Sequence, residues 1–275
     1  MLRIDHWPAC DRPLLVVALA GWVDAGSAGD GAVSALVEQL DGAQRFGAID
    51  LADLLDLQQT RPTARFVDGG LRVIEWPEIE LVAGRAGRDV VVVHGPEPSL
   101  RWPTVAGELV AAARRLGVSE AVTLGGMPAL VSHRRPLPVL ATATTRSLAQ
   151  EAGAVRPDYL GPTGMQTVVQ RALGEAGIGC VGLWVQVPQY VSGSPSPPAV
   201  RALLARVVER FGVDLDLASL DARVRRYLDR VEEGLAARPD VKEIVDRLDA
   251  QTEVVPTGDE LVSEIEQFLR SQSDE

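Results

Sequence analysis

Pro13-Leu-Leu-Val-Val-Ala-Leu-Ala-Gly21 runs directly into Trp22-Val-Asp-Ala-Gly-Ser-Ala-Gly29, and this pair of segments decides the fold. Seven apolar residues in succession, closed by a glycine, fit a short strand buried on both faces. A helical pattern follows, with Val33, Leu36, Val37 and Leu40 on one face and Gly42 past its end. Strand, glycine-rich turn and helix in that order are the repeating unit of an α/β protein.

The same unit recurs outward from this segment. Asp89-Val-Val-Val-Val-His-Gly95 reads as a strand and leads through Glu97 into a helix that carries Val105, Leu109, Ala112 and Leu116 and stops at Gly117. Ala121 to Gly126, Leu137 to Ala143 and Cys180 to Val187 supply further strands, and Phe46 to Leu51 another. Phe66-Val-Asp-Gly-Gly-Leu-Arg-Val-Ile-Glu-Trp76 reads as a hairpin turning at Asp68 to Gly70, which favours a mixed sheet over a purely parallel one. Thr163-x-x-Gln166 has the form of a capping box opening a helix. Ser196 followed by Pro197 opens another, with Val200, Leu203, Leu204, Val207, Val208 and Phe211 facing inward.

From Leu215 the pattern is helical almost to the last residue. Leu217, Leu220, Val224, Leu228, Val231 and Leu235 step by three or four, and Thr257-x-x-Glu260 opens a last helix with Leu261, Ile265 and Phe268. Such stripes require a surface, either the body of the protein or a neighbouring subunit. The expected division is an α/β core over residues 1–213 and an acidic helical extension over 214–275.

Charge follows the same division. Of the net charge of −11, the residues from Asp214 onward contribute −9, with 17 acids against 8 bases. This distribution argues against nucleic acid or an anionic membrane as the main partner, since phosphate binding needs clustered Lys and Arg. Lys242 is the only lysine. Its solitude removes a Walker lysine and a Schiff-base lysine in the body. Cys10 and Cys180 are too few for a disulfide framework, and the three histidines lack metal-ligand spacing, so neither metal nor cofactor is expected. The apolar runs are strand-sized and the first residues hold no signal core, which predicts a cytoplasmic protein.

Gly177-Ile-Gly-Cys-Val-Gly182 has the dinucleotide-binding spacing but leads into a strand instead of following one, so it does not serve that purpose. Four other glycine-rich segments sit at the ends of strands or the starts of helices. They are Gly21-Trp22-Val-Asp24-Ala-Gly26, His94-Gly-Pro-Glu97, Gly125-Gly126-Met127-Pro and Gly161-Pro-Thr163-Gly164-Met. In open α/β sheets such ends converge on one rim, where helix N-termini offer N–H donors. Asp24, His94, Glu97, His133 and Thr163 are the polar candidates there. The plainer alternative is that the glycines make tight turns and Asp24 or Ser27 caps a helix. The five tryptophans are read first as core wedges. His133-Arg-Arg-Pro136 is expected to make salt links, for example to the acidic tail.

Taken in order, Gly21-Trp-Val-Asp-Ala-Gly26, Gly125-Gly-Met-Pro-Ala-Leu-Val-Ser-His-Arg-Arg-Pro136, Gly161-Pro-Thr-Gly-Met-Gln166 and Val187-Pro-Gln-Tyr190-Val resemble the proteasome assembly chaperone 2 family, its actinobacterial branch above all. The resemblance implies a three-layer α/β/α fold related to purine nucleoside phosphorylases and hydrolases. It also implies a homo-oligomer, with a trimer favoured, and a binding or assembly role with proteasome subunits as possible partners. Some relatives dock through a hydrophobic-Tyr-any ending, whereas this sequence reads Arg270-Ser-Gln-Ser-Asp-Glu275. The alternative drawn from the fold relationship is an enzyme acting on a nucleoside-like or phosphorylated molecule. In that reading backbone N–H groups near Gly26 and Gly164 hold an anion, with Asp24 or Glu97 as acid or base and His94 or His133 as helper.

Overall fold

A computed structural model describes residues 1–67, 70, 72–154 and 161–250. The strands in chain order are β1 (Leu2–Ile4), β2 (Leu14–Ala20), β3 (Asp41–Asp50), β4 (Thr63–Phe66) and β5 (Arg72–Glu75), then β6 (Glu78–Ala86), β7 (Arg88–Pro96), β8 (Glu120–Ala129), β9 (Val139–Ala143) and β10 (Gly179–Pro188). The α-helices are α1 (Ala28–Val37), α2 (Trp102–Arg115), α3 (Arg146–Glu151), α4 (Met165–Glu175), α5 (Pro197–Phe211), α6 (Asp221–Ala236) and α7 (Pro239–Ala250).

The apolar run that opens the reading becomes β2, and strand alternation sends its side chains to two separate cores. Leu14, Val16 and Ala18 pack with α1 and α5, while Leu15, Val17 and Leu19 pack with α2 and α4. The result is three layers, helices on both faces of one eight-stranded sheet ordered β1-β3-β6-β7-β2-β8-β10-β9. The four central strands β7, β2, β8 and β10 run parallel, so their carboxyl ends share one rim. The outer strands β1, β3, β6 and β9 pair antiparallel, which makes the sheet mixed as expected.

The hairpin is not what mixes it. β4 and β5 form a sheet of their own, and the antiparallel partner of β7 is β6, which the sequence reading passed over along with β1. In β6, Ile79, Leu81 and Ala83 alternate toward the α2 side, but the intervening Glu80 and Val82 and the adjacent hairpin signal mask the alternation. The turn expected at Asp68 to Gly70 lies partly outside the described residues, and the helix expected from Thr257 lies wholly outside them.

Two helix starts differ from expectation. The N-cap of α4 is Gly164, not Thr163; Thr163 is exposed, and the Gln166 amide turns inward to donate to the Leu19 carbonyl at 3.3 Å. The expected capping box therefore does not form. Tail helicity is interrupted at Arg238 because Pro239, which lacks an N–H, starts α7 afresh. Helix α5 begins as expected, with Ser196 at the N-cap and Pro197 in its first turn, and ends at Gly212, whose φ of 63° is left-handed. Val213 and Leu220 join the core on the α1/α5 side, and Leu235 of α6 is 5% exposed, so the start of the acidic segment packs on the body.

Candidate functional site

The parallel rim brings together many of the residues singled out from sequence, but it closes them on one another. The carboxylate of Glu97, just past β7, accepts the backbone N–H of Trp22 at 3.0 Å and that of Met165, the first residue of α4, at 2.5 Å. It thereby takes up the Met165 N–H donor at the helix N-terminus, in the place an anion would use. Gly21 and Gly164 permit this: a Cβ on Gly21 would lie 2.4 Å from the carboxylate, and one on Gly164 would lie 2.8 Å from the Val23 side chain.

Asp24 does the same for α1. Its Oδ1 accepts the Gly29 N–H at 2.6 Å, so Asp24 rather than Ser27 supplies the side-chain cap. The turn between β2 and α1 lies flat on the end of β8, where Gly126 donates to the Val23 carbonyl at 3.0 Å and Asp24 bridges to Gly126. A Cβ at Gly126 would lie 2.4 Å from the Ala25 carbonyl oxygen, and one at Gly125 2.7 Å from the Trp184 ring. Gly26, left-handed at φ 66°, donates to the Ser192 carbonyl at 2.7 Å. The helix N-termini expected to hold an anion near Gly26 and Gly164 are therefore met by the chain's own carboxylates.

Burial pushes the Asp24 carboxyl up to about 6, against the lowering pull of the Gly29, Asp30 and Ala28 N–H groups. The raised value fixes the sign of a pH effect. Between roughly pH 4 and pH 6 the native state holds a proton that the unfolded chain has released, so this group's contribution is present below that window and is lost as pH rises through it. Asp24→Asn, which keeps an acceptor for Gly29, is expected to flatten that slope and to gain about 1–2 kcal/mol over wild type near pH 8 in urea unfolding.

The remaining candidates are placed elsewhere. His94 lies on β7 opposite Glu80 of β6, with Nε2 3.7 Å from that carboxylate. Met127 pairs in register with Gln186 in the β8–β10 ladder, and Gly161 and Thr163 are exposed. His133 and Tyr190 meet one another and the tail. The Tyr190 hydroxyl accepts the His133 backbone N–H at 3.0 Å and lies 2.6 Å from Nδ1, while Nε2 is 3.1 Å from Glu232 of α6. A hydroxyl already accepting one N–H turns its proton to Nδ1, which leaves Nε2 protonated and donating to Glu232. Burial lowers the His133 pKa and outweighs the raising effect of Glu232, so the ring is held neutral.

The salt links expected of the basic loop form as well. Arg134 bonds Glu232 and Asp246, and Arg135 bonds Asp249, so α6 and α7 are both tied to the loop after β8. Tyr190 also borders an open groove of about 570 Å³ between residues 190–195, α6 and the start of α7. Of the groove residues, Val231 and Leu235 belong to the tail stripe expected to need a surface, whereas nothing in the sequence pattern singled out Tyr227 and Val241. The tryptophans divide. Trp184 is buried, its Nε1 donating to Thr142 at 3.2 Å, whereas Trp22 and Trp76 are 42% and 52% exposed and are not core wedges. Among the described residues no His, Cys, Asp or Glu cluster could hold a metal ion, and no helix is long and apolar enough to cross a membrane.

Comparison with known proteins matches residues 18–235 to the PAC2 family model. A PAC2 family protein from Streptomyces avermitilis is 39% identical, covers 85% of this chain and 99% of its own, and superposes with a TM-score of 0.78. A proteasome-assembly chaperone homologue from Mycobacterium tuberculosis is 37% identical, with 84% and 99% covered and a TM-score of 0.77. An archaeal proteasome activator from Pyrococcus furiosus, 18% identical over 85% of this chain and 97% of its own, shares the fold at a TM-score of 0.68. No curated protein matches the chain.

Proposed function

We propose, since this chain belongs to the PAC2 family, that it is a non-catalytic, chaperone-like assembly protein that works as a homo-oligomer, a trimer, and takes proteasome subunits as partners. The observation that carries this reading is the β4–β5 arm. Its register sets Ala64 opposite Ile74 and Phe66 opposite Arg72, so strand alternation gathers Ala64, Phe66, Arg72 and Ile74 on one face, with the Arg72 guanidinium 5.1 Å over the Phe66 ring and Trp76 following two residues on. Thr63, Arg65, Val73 and Glu75 occupy the other face, where Arg65 and Glu75 pair.

This is the pattern of a half-buried strand pair whose apolar side chains are largely open to solvent: Phe66, Ile74 and Trp76 are 69%, 46% and 52% exposed. A two-stranded ribbon is marginal alone in water, and an apolar, aromatic face of this kind is what protein interfaces use. The rim adds support, because its helix N-termini are already occupied by Glu97 and Asp24 and so do not favour a phosphate-binding enzyme.

Proteasome subunits from the same organism, mixed with the purified chain at micromolar concentration and followed on native gels, are expected to give a co-migrating complex and faster ring formation. Unchanged ring formation with no complex would remove the proteasome from the reading.

A further inference from the structure

The groove beside α6 has an apolar floor and a cationic edge. Val191, Val231, Leu235 and Val241 supply the floor, and Arg230 and Arg238 flank it. Arg238 pairs with Asp240, but neither Arg230 nor Arg226 one turn earlier has an ion-pair partner among the described residues. Like charges spaced i, i+4 on a helix destabilise it unless an anion lies across them. An arginine pair without a direct ion-pair partner among the described residues, beside an apolar strip whose Val191, Val231 and Val241 are only partly buried, is out of place in a chain of net charge −11.

The chain beyond Ala250 has the complementary chemistry. Residues 251–275 hold seven acids against one base, and Leu261, Ile265 and Phe268 fall at helical spacing with Glu260, Glu264 and Glu266 among them. The connection is short enough. Val241 lines the groove near the start of α7, and Asp249 near its end is held by Arg135. The 12 residues of α7 cover about 18 Å, and the six residues 251–256 reach about 20 Å, so the segment after Pro256 can double back to the groove.

We propose that residues 257–268 of the same chain occupy this groove, setting Leu261, Ile265 and Phe268 on its apolar floor and their intervening glutamates against Arg226 and Arg230.

Hydrogen exchange on the full-length chain tests the assignment. Backbone amides of 257–268 are expected to exchange at least about tenfold more slowly in wild type than in the Arg226→Glu/Arg230→Glu variant. Both substitutions lie on the exposed face of α6, so the melting temperature serves as the control for folding. The protection is also expected to survive a hundredfold dilution, as an intrachain contact must. Amides of 257–268 that exchange freely in wild type, protection that ignores the charge reversal, or protection lost on dilution, which would assign the segment to another copy, each overturns the proposal.

Discussion

Glu97→Ala is expected to destabilise the protein by about 3 kcal/mol or somewhat more, since each charge-assisted bond to a backbone N–H contributes about 1.5–3 kcal/mol and removal leaves the part-buried Met165 donor unmatched while the exposed Trp22 donor returns to water. The donors are Trp22 N–H and Met165 N–H, the latter at the N-terminus of α4, where loss of the negative charge also forfeits a favourable helix-dipole interaction. For a chain of this size the melting temperature should fall by roughly 6–10 °C. Glu97→Gln keeps one acceptor oxygen and is expected to lose about half as much. Calorimetry of the three proteins checks the order. A catalytic or anion-relaying Glu97 would behave otherwise, because its removal would leave stability near wild type and change the response to phosphate or nucleosides. Thermal shifts of wild type against those compounds are expected to be flat, since Glu97 and Asp24 already satisfy the helix N-termini.

The fold was legible where the signal was local. The apolar run at Leu14–Ala20 and the valines of β7 declared strands buried on both faces through their composition alone, whereas the glycines read as strand ends lie inside the strands, since β7 runs on to Pro96 and β8 to Ala129. β6 was missed because its alternation follows a stronger hairpin signal without a break, and β1 because three residues are too few to show a period. Of the residues expected at the rim, Asp24 and Glu97 meet helix N-termini there, while His94, His133 and Thr163 lie elsewhere. Sequence places Asp24, Glu97 and the glycines near strand ends, yet whether a carboxylate meets a ligand or a helix N-terminus depends on separations of 68 to 75 residues in the Glu97 contacts. The His133–Tyr190–Glu232 contact was half visible. Arginines beside an acidic tail suggested salt links, whereas the tyrosine that orients the imidazole stands 57 positions further along the chain and is brought to it only by the fold.

Phe66→Asp with Trp76→Asp is expected to weaken self-association by roughly a thousandfold, because an aromatic anchor at the centre of an interface contributes about 2 kcal/mol or more and a buried aspartate adds a desolvation cost. Both positions are exposed, so the double variant should stay folded with a melting temperature lower mainly by what the oligomer itself contributes. Tyr190, His133 and the tail salt links lie outside the arm and act as an internal control: substitutions there should loosen α6 and α7 without splitting the oligomer.

The most direct test of the account is the native mass by multi-angle light scattering of the wild-type chain and the Phe66→Asp/Trp76→Asp variant, each at low micromolar concentration. The account predicts about three times the 29.4 kDa chain mass for wild type and the single-chain mass for a folded variant. A wild-type protein that elutes as a single chain, or a folded variant that keeps the wild-type mass, would contradict the claim that this arm is the surface through which the protein assembles.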